Sequence, residues 1–157
     1  GMAATFVPVV LVVMNVVYAG AAYPVGRLSD RLGRRMLLGA GLAVLAAADG
    51  VLALAPGVWA VLCGVALWGL HMGMTQGLLA ALVADAAPPA LRGTAFGLLH
   101  LLSGVALFVA SLLAGWLWAL LGPAATFGAG ALFTTCAFLA LVLFGGDRSA
   151  SAWRVRD

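Results

Sequence analysis

Hydrophobic positions along this chain come in long unbroken runs rather than in alternation, and short polar punctuation separates them. The runs lie near residues 4–26, 36–55, 58–84, 93–121 and 124–144. A bilayer core about 30 Å thick needs roughly 20 residues at about 1.5 Å each, so every run is long enough to cross as a helix. The last two come from one uncharged stretch, 93–146, too long for a single crossing and punctuated by Gly122-Pro123, where a turn is expected. The pattern predicts an all-α integral membrane protein with five transmembrane helices in residues 1–146. A polar tail, 147–157, follows.

Composition agrees. Of 157 residues, 65% are hydrophobic and 8% charged, too few polar groups to cover a soluble globule. All eight basic residues are arginine, all five acids are aspartate, and the formal charge is +3. This basic excess reports membrane orientation, not nucleic-acid binding. Cys63 and Cys136 lie inside apolar runs without metal-ligand spacing, and the expectation for both is packing as small apolar residues. Residues 1–26 carry no charge, so the first run lacks the basic n-region of a secretory signal and reads as a span.

The arginines order the topology. Arg27, Arg31, Arg34 and Arg35 follow the first span, Arg92 the third, and Arg148, Arg154 and Arg156 the fifth. The connections at Pro56-Gly57 and Gly122-Pro123 carry none. Five alternating spans then place every arginine and the carboxy terminus in the cytoplasm, with residue 1 outside. Trp59, Trp116 and Trp118 fall at the outer interface, where indole rings favour the headgroup level.

Half of the arginines crowd into Gly26-Arg27-Leu28-Ser29-Asp30-Arg31-Leu32-Gly33-Arg34-Arg35. The residues suggest a helix exit at Gly26, an acid set among cations, a Gly33 free to take positive φ, and a basic start to the next helix. The pattern Gly-x-x-x-Asp-Arg-x-Gly-Arg-Arg resembles the signature loop of the major facilitator superfamily, which joins the second and third helices of a six-helix half. The resemblance implies a fold of two such halves with the substrate path between them. Five spans are then the second to sixth helices of one half. The carboxy-terminal half fits better, because the chain closes on a short basic tail and because Leu91-Arg92-Gly93-Thr94-Ala95-Phe96-Gly97 followed by Gly115-Trp116-Leu117-Trp118 resembles the family's eleventh helix. The amino-terminal half is the alternative.

Polar groups at membrane depth cost about 2.5–3.5 kcal/mol each when charged, so each needs a reason. Asn15 shares a stripe with Ala19, Ala22 and Gly26; an interhelical hydrogen bond and a cavity role both fit. Asp49 lies in the outer third of the second span, where the resemblance implies a peripheral helix and an interhelical carboxyl rather than a proton carrier. On the third span Gly69, Gly73, Gln76 and Gly77 share a face suited to close packing, with Gln76 as polar glue. His71 and Thr75 lie roughly opposite, and are the candidates for a water-filled path. Gly93, Gly97, His100, Gly104, Ser111 and Gly115 line one side of the fourth span, as a packing seam or as a cavity wall carrying His100. Thr126, Thr134 and Thr135 need no function, since threonine hydroxyls bond back to their own helix.

Gly39-Ala40-Gly41 sits inside an apolar run without a preceding strand, and is no dinucleotide fingerprint. No Walker loop, HExxH or Gly-x-Ser-x-Gly motif is present, so an enzyme is not expected and no cofactor is implied. By resemblance, the chain is part of a secondary active transporter that moves a small solute by alternating access on a proton gradient, in a bacterial cytoplasmic membrane. Gly26, Asp30, Arg31, Gly33, Arg34 and Arg35 would form its gating motif, with Asp85 and Arg92 as secondary cytoplasmic charges. Asn15, His71, Thr75 and His100 are candidate lining residues. Its partners would be membrane lipid, the absent amino-terminal half and an unknown small-molecule substrate. A different class fits too: a truncated or non-transporting membrane module that regulates or completes another protein.

Overall fold

The computed structural model describes residues 6–144, apart from the side chains of Asp30 and Phe144. The expected polar tail with Arg148, Arg154 and Arg156 lies outside the described residues. Among those described there are four α-helices and no strand: α1 (Val7–Leu32), α2 (Arg34–Ala53), α3 (Val58–Ala86) and α4 (Arg92–Phe144). All four are long and apolar enough to cross a membrane. This makes the protein an all-α membrane protein, as the apolar runs predict.

Two boundaries differ from the pattern. The chain does not leave its first helix at Gly26; α1 continues to Leu32 and takes most of the charged segment with it. One glycine costs about 1 kcal/mol of helix propensity, and the good helix formers Arg27, Leu28, Arg31 and Leu32 outweigh it. The Ser29 hydroxyl also donates to the Gly26 carbonyl at 2.6 Å. Only Gly33 breaks the helix, at φ 83° and ψ 134°, and α2 begins at the next residue. That positive φ excludes residues with a side chain, so the α1–α2 turn depends on glycine here.

The second difference is at Gly122. The fourth and fifth expected spans are one helical element, α4, interrupted only by Gly122 at φ 80° and ψ −177°. The interruption still reverses the chain. In an unbroken helix Trp118 and Phe127 would lie about 13 Å apart along the axis and on opposite sides. Their rings instead meet edge to face, with centroids 6.2 Å apart. Pro123, which has no N–H to lose, opens the second limb (123–144). Thr126 donates its hydroxyl to the Gly122 carbonyl at 3.2 Å.

Contacts along the helices give their directions. Gly64 abuts Leu52, while His71 and Thr75 meet Gly41, so α2 and α3 run antiparallel. Gly130 meets Asp49, and Phe138 and Leu141 meet Gly39, so the second limb of α4 is antiparallel to α2. Gly69 and Gly73 meet Met14 and Tyr18, so α1 and α3 are parallel. The core is accordingly centred on α2 and α3, where Leu37, Ala48, Leu52, Val65 and Leu78 are buried. The first limb (92–121) leaves the Asp85 end of α3 and reaches the opposite end at Gly122, a crossing of its own. Between residues 97 and 113 every residue but Leu99 is exposed.

Candidate functional site

The charged segment and the Asp85 end of α3 together make one end of the bundle strongly basic. Arg34 opens α2 and forms an ion pair with Asp85 in the last turn of α3. Its guanidinium also donates to the Ala81 carbonyl at 3.4 Å. Arg35 turns the other way and donates to the Leu141 carbonyl at 2.6 Å. Adjacent arginines therefore tie the start of α2 to two different helices. Such double anchoring explains why both positions are arginine: the planar fork reaches carbonyl and carboxylate acceptors that an ammonium point charge would hold less specifically.

On the α1 side, Arg27 stacks over the Tyr23 ring, 6.0 Å from its centroid. Arg31 lies in the last turn of α1, where a cation complements the partial negative charge of a helix carboxy end. Asp30 occupies the same turn; the position of its carboxylate lies outside what the structure describes. Arg92 starts α4 after the Pro88-Pro89 break and is exposed. Gly26 is exposed within α1, and Gly33 is the pivot. The segment is therefore a helix end, one glycine turn and an anchored helix start. A cationic surface of this kind attracts a negative partner.

Within the spans, the polar residues divide by neighbourhood. Asn15 is exposed on α1 and donates to the Leu11 carbonyl of its own helix at 2.8 Å. Its stripe mates Ala19, Ala22 and Gly26 are exposed with it. His100 is exposed on the first limb of α4, among glycines with open space around them. His71 and Thr75 sit in the α2–α3 seam: His71 Nδ1 lies 2.8 Å from the Gly41 carbonyl, and the buried Thr75 donates to the His71 carbonyl at 2.9 Å. Asp49 is buried between α2 and the second limb of α4, in space left by Gly130.

Sequence reasoning missed two partners. Tyr18 donates its hydroxyl to Gln76 at 3.2 Å, joining α1 to α3. A tyrosine in mid-span, one turn from Asn15, was a visible signal, because a phenol at membrane depth needs an acceptor. The bond from Arg35 to Leu141 had no such signal, because a backbone carbonyl is present at every residue.

Comparison with known proteins places this arrangement. The family model for the Major Facilitator Superfamily matches residues 1–157. An uncharacterized MFS-type transporter of Methanocaldococcus jannaschii is 31% identical over 140 residues, which cover 88% of this chain. The match covers 35% of that relative, so the chain spans about a third of its length. With its apolar crossing helices, the Gly33 pivot and the arginine pattern around it, the chain belongs to the major facilitator superfamily.

Proposed function

We propose that the chain is part of a secondary active transporter that moves a small solute across the cytoplasmic membrane by alternating access, driven by a proton gradient. It corresponds to the second to sixth helices of the carboxy-terminal half. The arginine-rich end faces the cytoplasm, because positive side chains are retained there. The observation that carries the reading is the pivot: α1 ends as a charged helix, Gly33 turns at positive φ, and Arg34 and Arg35 fasten the next helix to α3 and α4.

In the closed state Asp30 meets neighbouring arginines and the positive amino end of a helix in the other half; losing that contact lets the halves part. Arg31 supports the Asp30 charge, Arg34 and Asp85 hold the base of the gate, and Arg92 supplies a further cytoplasmic cation. Asn15 and His100, on open faces, line the path. His71 and Thr75 steady the α2–α3 wall behind it. Asp30→Asn in the assembled transporter is expected to lower transport at least severalfold while membrane insertion stays near normal. Undiminished transport would remove the gating role.

A second reading is a non-transporting module that regulates or completes another protein. The exposed first limb of α4 favours it, since such a surface suits a partner as well as a second half. Reconstitution tests what the two readings share. Solute flux through this chain alone would refute the need for a second bundle.

A further inference from the structure

A trough of about 640 Å3 runs down the flank of the bundle between α2 and the second limb of α4. On α2, Met36, Gly39, Ala40 and Ala43 line it, at the three- and four-residue steps of one helix face. Phe138, Leu141 and Val142 form the opposite wall. Gly39 is the floor: it is buried, and a methyl added there would touch Phe138 and Leu141 at 3.7 Å. Met36, Ala40, Ala43 and Val142 are exposed along the rim.

Two features make this more than an apolar face. Along α2, from Arg35 at one end to Ala43 at the other, the trough is about 12 Å long by the rise of a helix, somewhat less than half of a 30 Å hydrocarbon core. It therefore fits within one leaflet. Its headgroup end carries Arg35, whose guanidinium donates to Leu141 with one nitrogen and keeps further donors for another acceptor. Gly33 lines the same end, and α2 starts there without a side-chain cap, so the first backbone N–H groups of the helix add positive potential. Among the described residues no acidic side chain lines the trough.

We propose that this trough is a binding site for an anionic phospholipid of the leaflet at the arginine-rich end, one acyl chain lying along Gly39 and the phosphate on Arg35. The charge pattern selects the headgroup. A phosphodiester accepts from the arginine fork and the α2 amino end, whereas the amine of a zwitterionic lipid would meet Arg35 and find no acid among the described lining residues. Apart from Leu32 at its headgroup end, the site is built from α2 and the second limb of α4, and it does not depend on the transport reading.

Native mass spectrometry of the purified full chain tests it, with phosphatidylglycerol and phosphatidylcholine added in equal amounts, alongside a phosphatidylglycerol carrying a photoreactive acyl chain. Retention of phosphatidylglycerol over phosphatidylcholine is expected at about fivefold, the order set by one arginine at a membrane surface. Arg35→Gln should level the two lipids, and Arg35→Lys should restore most of the preference. Arg27→Gln, outside the trough, should leave it unchanged. Ala40→Trp fills the trough without touching the Arg35–Leu141 bond, and should lower phosphatidylglycerol retention even if Arg35→Gln loosens α4. Photoadducts should fall within 36–43 and 138–142. Equal retention of both lipids, a preference that survives Arg35→Gln and Ala40→Trp, or adducts confined to other helices would overturn the proposal. So would cross-links showing residues 145–157 in the trough.

Discussion

Two glycine stripes of similar spacing meet opposite fates in this molecule. On α3, Gly69 and Gly73 are buried under the backbone of α1: a methyl added at Gly73 would lie 2.8 Å from Ala21 Cβ and 2.9 Å from the Tyr18 carbonyl oxygen. On the first limb of α4, Gly93, Gly97, Gly104 and Gly115 have no heavy atom within 4 Å of such a methyl. Small residues let helices approach, but a stripe becomes a seam only where a neighbour arrives with its own small or polar groups. Met14, Tyr18 and Ala21 provide that neighbour for α3. Among the described residues nothing provides it for the first limb, which is why we propose that face as the one turned towards a partner.

The contrast can be broken at its filled side. Gly73→Leu is expected to push α1 from α3 and to cost about 1–3 kcal/mol, the usual penalty for overpacking. Gly104→Leu is expected to stay within about 0.5 kcal/mol in the chain alone. A denaturant titration of the two variants in the same detergent checks the difference, and equal losses would mean that the two stripes do not differ. A smaller effect sharpens the same seam. Tyr18→Phe removes the hydroxyl that bonds Gln76 and is expected to cost about 0.6 kcal/mol, the mean for hydrogen bonds between membrane helices.

Much of this was legible because membrane helices write their constraints locally. Run length against bilayer thickness anticipated the long apolar helices, and the arginines marked one end of the bundle. Close packing at Gly69 and Gly73 and the polar role of Gln76 followed from helical periodicity, whereas Gly77 on the same face is exposed with open space beside it. The turn at Gly122-Pro123 followed from the length of the uncharged stretch. What periodicity cannot supply is the neighbour. It sets His71 and Thr75 opposite the glycines, and only the packing shows that α2 meets that face through Gly41. Nor can a single glycine show where a helix stops. Gly26 lies inside a helix because its flanking residues favour one, whereas Gly33 breaks the chain because the turn into α2 demands a positive φ.

The most direct test lies at the open face of the first limb and the closed α2–α3 seam. If the face of the first limb borders a water-filled path in the assembled transporter while the α2–α3 seam is closed, single cysteines at the two places should differ in access to water. In a background with Cys63 and Cys136 replaced by alanine, His100→Cys is expected to react with a membrane-impermeant thiol reagent, and Thr75→Cys to stay unlabelled on the same timescale. An inert His100→Cys, or a Thr75→Cys labelled as fast, would contradict the assignment of the open stripe to the transport path.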